Sequence, residues 1–266
     1  MSANRLTDNL WLLRVCQDVS TWRAMKGRLH DESPLRRLCL RGLPGPISCG
    51  ADSTDIAVVW ELFRGREYAL VAGPWAFRTV LDCGANIGVF LAWVVSSWGR
   101  PPGRYVGVEP DPDCFPILCR QVESLGVERV AEVIQAAVWD RTDDVPFDNS
   151  GPSWSHCVGG QGNMRVRAIT VEGILDQAGL AECDLLKLDI EGAEMTVLPT
   201  ITRWASRVKV IVAELHGSAN YQWFRQVVES VGFRAYPAGA LFLGHPSAVR
   251  LDAMDSLGMD WSRLHS

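Results

Sequence analysis

The stretch RTVLDCGANIGVFLAWVVSSWG, residues 78–99, changes its pattern at a pair of glycines. Up to Asp82 and Cys83 the run is short and apolar, as in a strand buried on both faces. From Ile87 the apolar residues recur over a length that suits a helix. Gly84 falls in the tight turn and Gly88 in the first turn of the helix, positions where positive φ or close approach of a ligand excludes a side chain. Strand, glycine turn and helix in that order predict a nucleotide-binding turn at the carboxyl end of the strand.

The same alternation continues outward. RYVGVEP (104–110) reads as a second strand and CFPILCRQVESLG (114–126) as a helix ended by Gly126. VAEVIQAAV (130–138) is a third strand and its exit, CDLLKLD (183–189) a fourth and RVKVIVAEL (207–215) a fifth, with helices starting near residue 193 and over 220–230. The pattern predicts an α/β fold, a mostly parallel sheet with helices on both faces, whose strand ends are Asp82, Glu109, Ala137, Asp189 and Glu214. Residues 148–164, DNSGPSWSHCVGGQGNM, carry no period and read as a mobile loop suited to act as a lid. Trp154, His156 and Cys157 within it read first as ordinary loop residues and second as substrate contacts.

Residues 1–76 differ from the rest. Helical patches at NLWLLRVCQDV (9–19) and PLRRLCLRG (34–42) are followed by a Pro/Gly break, GLPGPISCG (42–50), and by DIAVVWELFRGREYAL (55–70). This segment is expected to be a mainly helical N-terminal appendage on a core of residues 77–245, with 246–266 as a C-terminal tail or helix. The basic residues Arg23, Lys26, Arg28, Arg36, Arg37 and Arg41 read as a solvated face, with a substrate or subunit contact as the second reading.

Composition narrows the function classes. The chain has 266 residues, 47% hydrophobic, enough for a full core. Its net charge of −5 does not suit affinity built on many phosphate contacts, so nucleic acid is not an expected partner. Without a run near the roughly 20 apolar residues of a membrane span, or a signal-like apolar region, a cytoplasmic protein with no membrane contact is expected. The eight cysteines are scattered, with no CxxC spacing, which argues against disulfides or a zinc site, and Cys83, Cys119 and Cys183 read as small buried hydrophobes.

The ligand can be narrowed from the turn. Glu109 at the end of the second strand is placed to accept both hydroxyls of a ribose. Ala85 and Asn86 stand where a dinucleotide fingerprint needs its middle glycine, and Asp82 just before the turn is expected to repel a pyrophosphate and favour a cation. S-adenosylmethionine meets these demands, with its ammonium and sulfonium near the acids and its carboxylate at the helix N–H groups near Asn86 and Ile87. Ala137 and Val138 read equally as ordinary core or as an apolar wall that faces Pro110 across an adenine.

Together DCGANIG, VGVEP, AAVWD, LLKLDIEGAE and VIVAELH, over roughly residues 54–216, resemble the FkbM family of S-adenosylmethionine-dependent O-methyltransferases. The resemblance implies a class I methyltransferase (Rossmann-like) sheet, bound S-adenosylmethionine, and methyl transfer to a hydroxyl of a small specialised metabolite such as a polyketide or sugar. It puts Asp82, Gly84, Asn86 and Gly88 on the cofactor turn, Glu109 on the ribose carboxylate, and Asp189 and Glu191 on the family's acidic signature. Leu188, Glu172 and the pair Pro199 and Thr200 depart from the usual Ile, Asp and Gly-Ala, which bears on substrate rather than cofactor.

Methyl transfer needs an aligned acceptor and removal of its proton. Asp189 ends the fourth strand where the acceptor must lie. Glu194 reads as a helix-dipole partner, and Glu191 reads equally as that or as a cofactor or substrate ligand. His216, beyond the fifth strand, reads equally as a satisfied structural histidine and as a general base with a pKa near neutrality. Asp189, Glu214 and His216 also form a candidate open site for Mg2+. The rival readings are a nicotinamide-dependent oxidoreductase and a non-catalytic cofactor-binding or interaction subunit. The acceptor's identity and homo-oligomer formation stay open.

Overall fold

The computed structural model describes residues 2–27, 35–50, 54–65, 68, 77–151, 156–158, 162–238 and 245–257. The N-terminal part contains helices α1 (Ser2–Val15), α2 (Val19–Met25) and α3 (Thr54–Trp60), the last running into a π turn over Glu61–Gly65. Between them lies a hairpin of β1 (Leu35–Leu38) and β2 (Ile47–Gly50). PLRRLCLRG, expected as a helical patch, is therefore a strand over its first half. The Pro/Gly-rich stretch after it makes the turn, and cross-strand pairing outweighs a weak helical pattern.

The main sheet is built from β3 (Thr79–Cys83), β4 (Arg104–Val108), β5 (Ala131–Ile134), β10 (Cys183–Leu188), β11 (Val208–Ala213), β12 (Phe233–Tyr236) and β13 (Ser247–Arg250). A smaller sheet is inserted between β5 and β10. Its strands are β6 (Ala137–Val138), β7 (Asp143–Asp148), β8 (Cys157–Val158) and β9 (Met164–Ile169). Helices α4 (Val89–Trp98), α5 (Phe115–Leu125), α6 (Val171–Gln177), α7 (Glu194–Val197) and α8 (Tyr221–Glu229) complete the elements.

The main sheet runs β12-β13-β11-β10-β3-β4-β5, parallel from β11 to β5 and antiparallel at β13 and β12. Strand order reverses between β3 and β10, and a crevice opens at the carboxyl ends there. The expected fold is present. β13 was not foreseen, because residues 246–266 were expected to be a tail or helix, whereas Ser247–Arg250 enters the sheet between β11 and β12. Four residues are too few for a period to declare itself, and two of them, Ser247 and Ala248, are small.

Helix faces follow the sequence periods. In α5 the buried residues Leu118, Gln121, Val122 and Leu125 form one stripe, and Gly126 ends the helix at φ 65°. Asn220 caps α8 by accepting from the Trp223 N–H at 3.0 Å. Alternation along the strands divides the core in two. Val80, Tyr105, Leu185 and Val210 pack with α4 and with Leu12, Leu38, Ile47 and Val59 of the N-terminal part; Leu81, Val106, Leu186 and Ile211 pack with Ile174, Leu198, Trp204 and Phe224. The N-terminal residues thus share one continuous core with the sheet. No helix among the described residues is long and apolar enough to cross a membrane.

Candidate active site

A cavity of about 510 Å³ opens at the switch point, beside Gly84, Asn86, Glu109, Asp189 and Glu214. The turn after β3 is tightly drawn. Gly84 has φ 80°, and a Cβ there would lie 1.7 Å from the Asp189 carbonyl oxygen, so only glycine lets the two strand ends approach. The Gly84 and Ala85 N–H groups both donate to the Val108 carbonyl at 3.0 Å. Asn86 takes φ 48° without being glycine.

Asp82 does not reach the cavity. Asp82 and Lys187 are register partners on β3 and β10, so alternation places them side by side on one face. The Lys187 ammonium lies 3.1 Å from Asp82 Oδ1, and the Tyr105 hydroxyl donates to Asp82 Oδ2 at 2.6 Å. Tyr105 reaches it because Gly107, two residues on, has no Cβ; one there would sit 2.9 Å from the ring. Burial raises the Asp82 carboxyl's pKa, while the ammonium and the phenol oppose that rise by favouring the anion. The expectation of an exposed Asp82 that screens ligands by charge is corrected: its charge is met inside the protein. Gly88 is also outside the cavity lining; at φ 84° it lets α4 approach Leu118 and Gln121 of α5.

The remaining expected residues, Gly84, Asn86, Glu109, Pro110, Ala137, Val138, Asp189, Glu191, Glu214 and His216, all line the cavity. Glu109 is buried and accepts the Asn86 N–H at 2.7 Å and the Asp111 N–H at 2.9 Å, and burial still pushes its pKa up to about 7. The Ile87 N–H donates to Asn86 Oδ1 at 2.7 Å. The two N–H groups expected to receive an anion are therefore already used. That also removes the cradle a pyrophosphate would need. No side chain caps α4, whose first residues, Val89 and Phe90, line the cavity with their N–H groups lacking intrahelical partners.

At the end of β10 the acids take distinct places. Glu194 is fully buried and closes the turn, accepting the Ile190 N–H at 3.2 Å and the Gly192 N–H at 3.1 Å. It is structural, as its helix-start position implied. Glu191 adopts φ 50°, an unusual conformation for a residue with a side chain. Burial, opposed by His216, pushes its pKa up to about 7.

His216 lies among carboxylates. Nδ1 is 3.1 Å from Glu194, and Nε2 is 3.4 Å from Glu191 and 3.5 Å from Glu214. Hydrogen bonds to Glu194 and Glu214 push its pKa up to about 11. Three carboxylates around the ring favour the imidazolium, the form without a lone pair, over the neutral base expected from a pKa near neutrality.

Asp189, Glu214 and His216 do each bring a ligand atom within 4.8 Å of the others. They do not fit Mg2+, which demands hard oxygen donors. The imidazole is engaged by three carboxylates, and Asp189 Oδ2 already meets the Lys187 ammonium at 3.2 Å. Millimolar Mg2+ is therefore expected to leave the melting temperature unchanged and to give no saturable heat in calorimetry.

Several residues that shape the site were not anticipated. Lys187 sits in an apolar strand, and that contrast was the available signal. Phe147 and Val158 of the small sheet line the cavity beside Pro110, Ala137 and Val138. The strandless loop expected over 148–164 thus contains β8 and is flanked by β7 and β9, strands whose alternating polar residues hid them. Likewise β5 leaves the main sheet at Ile134, and Ala137 pairs in the small sheet with Ala168. His156 joins the small sheet to the end of β4, Nδ1 facing Asp111 and Nε2 lying 2.7 Å from the Gly151 carbonyl. Trp154 lies outside the described residues. From the N-terminal part Ala57, Val58, Leu62 and Tyr68 form another wall.

This geometry agrees with what comparison with known proteins finds. The description of the methyltransferase FkbM domain matches residues 82–240, well over half of the chain. The chain belongs to the FkbM methyltransferase family. The hexuronic acid methyltransferase AglP of Haloferax volcanii is 23% identical over 141 residues, 52% of this chain and 56% of that protein. The chain spans about half the length of this curated relative. The crystal structure of methyltransferase FkbM from Methylobacillus flagellatus KT superimposes with a TM-score of 0.51 at 14% identity, over 92% of this chain and 59% of that one. At that identity the likeness speaks for the class I methyltransferase fold alone.

Proposed function

We propose that this FkbM-family chain transfers a methyl group from S-adenosylmethionine to a hydroxyl of a small specialised metabolite, a polyketide, a sugar or a similar compound. The supporting observation is one cavity that combines a buried carboxylate at the end of β4, an apolar wall and an excess of carboxylates at the ends of β10 and β11. When bound, the donor supplies a methyl group on a sulfonium, already activated for displacement.

The protein's share is binding, alignment and proton removal. Each Glu109 oxygen keeps a lone pair beyond the N–H it accepts, which suits two ribose hydroxyls. The apolar wall of Pro110, Ala137, Val138 and Phe147 suits an adenine. The N–H groups of Val89 and Phe90 replace those of Asn86 and Ile87 as the partners of a carboxylate. Asp189, Glu191 and Glu214 take over the selection for a cation that Asp82 was expected to make.

Glu191 is the proton acceptor in this reading, because a carboxyl that titrates near 7 is matched to work at neutral pH. Asp189 orients the ligand's cationic groups, and His216 holds Glu191 and Glu214 in place. The wall of Ala57, Val58, Leu62 and Tyr68 favours the substrate-contact reading of the N-terminal part. Calorimetry of the full chain tests the cofactor: saturable heat with S-adenosylmethionine and none with NADH or NADPH is expected. Saturation by a dinucleotide with no response to S-adenosylmethionine would overturn the reading.

A further inference from the structure

Lys187 is a buried cation ringed by oxygens. Its ammonium carries three donors, and three acceptors surround it: the Gly84 carbonyl at 3.0 Å, Asp82 Oδ1 at 3.1 Å and Asp189 Oδ2 at 3.2 Å. The Phe90 ring lies 5.6 Å below, adding cation–π attraction. Burial works against the charge, but Asp189 and Asp82 hold the pKa well above the ordinary lysine value. Held protonated beside two carboxylates, Lys187 does not serve as a base.

Its partners define its task. They belong to two separate segments, β3 with the turn after it and the turn after β10, which meet where Gly84 passes the Asp189 carbonyl. The two aspartates have opposite surroundings: Asp82 is wholly buried and meets Tyr105 as well, whereas the Asp189 side chain is 25% exposed and lines the cavity. Asp189 Oδ2 faces Lys187, which leaves Oδ1 for a ligand.

We propose that Lys187 is a positioning residue for the methyl donor: it cancels the charge of Asp82, ties the two turns together, and fixes Asp189 so that its second oxygen meets the donor's ammonium. The inference rests on S-adenosylmethionine being the ligand. It assigns different roles to two aspartates that look equivalent in sequence, each ending an apolar strand, and gives the lysine before Asp189 a part in cofactor selection.

The test is calorimetric affinity for S-adenosylmethionine in the full chain, with thermal unfolding as the check on folding. Lys187→Met leaves two acids without their cation and is expected to weaken binding on the order of 30-fold or more. Lys187→Met/Asp82→Asn removes the buried orphan charge and is expected to recover thermal stability but not affinity, because Asp189 still lacks the ammonium that fixes it. Asp189→Asn is expected to weaken binding in the otherwise unaltered chain and to add little further loss in the Lys187→Met background, because coupled residues are non-additive.

That non-additivity is what a lysine serving only to neutralise Asp82 would not produce. Recovery of affinity in Lys187→Met/Asp82→Asn, or additive losses for Lys187→Met and Asp189→Asn, overturns the proposal, as does wild-type affinity in Lys187→Met. Should Lys187→Met not fold, Lys187→Met/Asp82→Asn with and without Asp189→Asn decides between the outcomes. Absence of binding by the unaltered chain would instead sink the cofactor assignment, and is distinguishable because it precedes any substitution.

Discussion

Gly84→Ala is expected to destabilise the chain by about 3–5 kcal/mol and to abolish ligand binding at the same time. Two costs combine. A side chain at φ 80° carries a backbone penalty of roughly 1–2 kcal/mol. The larger cost is collision, since the new Cβ would stand 1.7 Å from the Asp189 carbonyl oxygen, a backbone atom that cannot swing aside. Relief requires β3 and β10 to part at their carboxyl ends, where Asp189 N–H donates to the Cys83 carbonyl at 3.1 Å and where Lys187 spans the turns. Gly126→Ala is the control. At φ 65° with nothing within 4 Å of its Cβ, it should cost only the backbone term, about 1 kcal/mol. Denaturant midpoints of the two variants check the contrast, and equal losses would show that close approach is not what Gly84 provides.

The parallel centre of the sheet was legible because each of its strands is a short apolar run bounded by a turn signal and followed by a helix. TVLDC, CDLLKL and VKVIVA carry their burial on both faces in composition alone. The small sheet was not legible in this way. MRVRAI places charges on alternate residues, DDVPFD carries three acids and a proline, and both lie next to a Gly/Ser-rich stretch, so they resemble loop until pairing supplies the missing hydrogen bonds. β13 was hidden by its length and its small residues.

Within the site, positions were easier to read than charge states. Ten of the expected residues line the cavity because strand ends in such a sheet must converge there. Which acid is buried, and what meets it, depends on cross-strand neighbours that no local pattern reveals. Asp82 beside Lys187 and Tyr105 across Gly107 are register facts. His216 looked like a base because a histidine near neutrality is the default; three carboxylates from two segments made it a fixed cation.

That exchange of roles carries the second large effect. Glu191→Gln is expected to slow methyl transfer at saturating donor by about 10²- to 10⁴-fold, the usual contribution of a positioned proton acceptor, with a smaller loss of donor affinity because its anion also faces the cationic donor. The pH dependence gives the sign. Burial raises the Glu191 pKa to about 7, so the carboxyl is protonated and idle below that pH and ready to accept a proton above it. The rate at saturating donor should therefore rise with pH through a limb near neutrality, and the limb should vanish in Glu191→Gln. A bound sulfonium favours the anion, so the limb at saturating donor lies at a lower pH than the Glu191 titration in the free chain. Glu109 also titrates at about 7, but its anion serves the ribose and so marks donor affinity rather than the saturated rate. His216, held up to about 11, stays charged across the whole range. A carboxyl-carbon NMR titration of the free chain locates Glu191 directly, and turnover of the first hydroxyl acceptor found supplies the rate. A limb that persists in Glu191→Gln, or one that moves to near 11, would return proton removal to another group and with it the assignment of this rim.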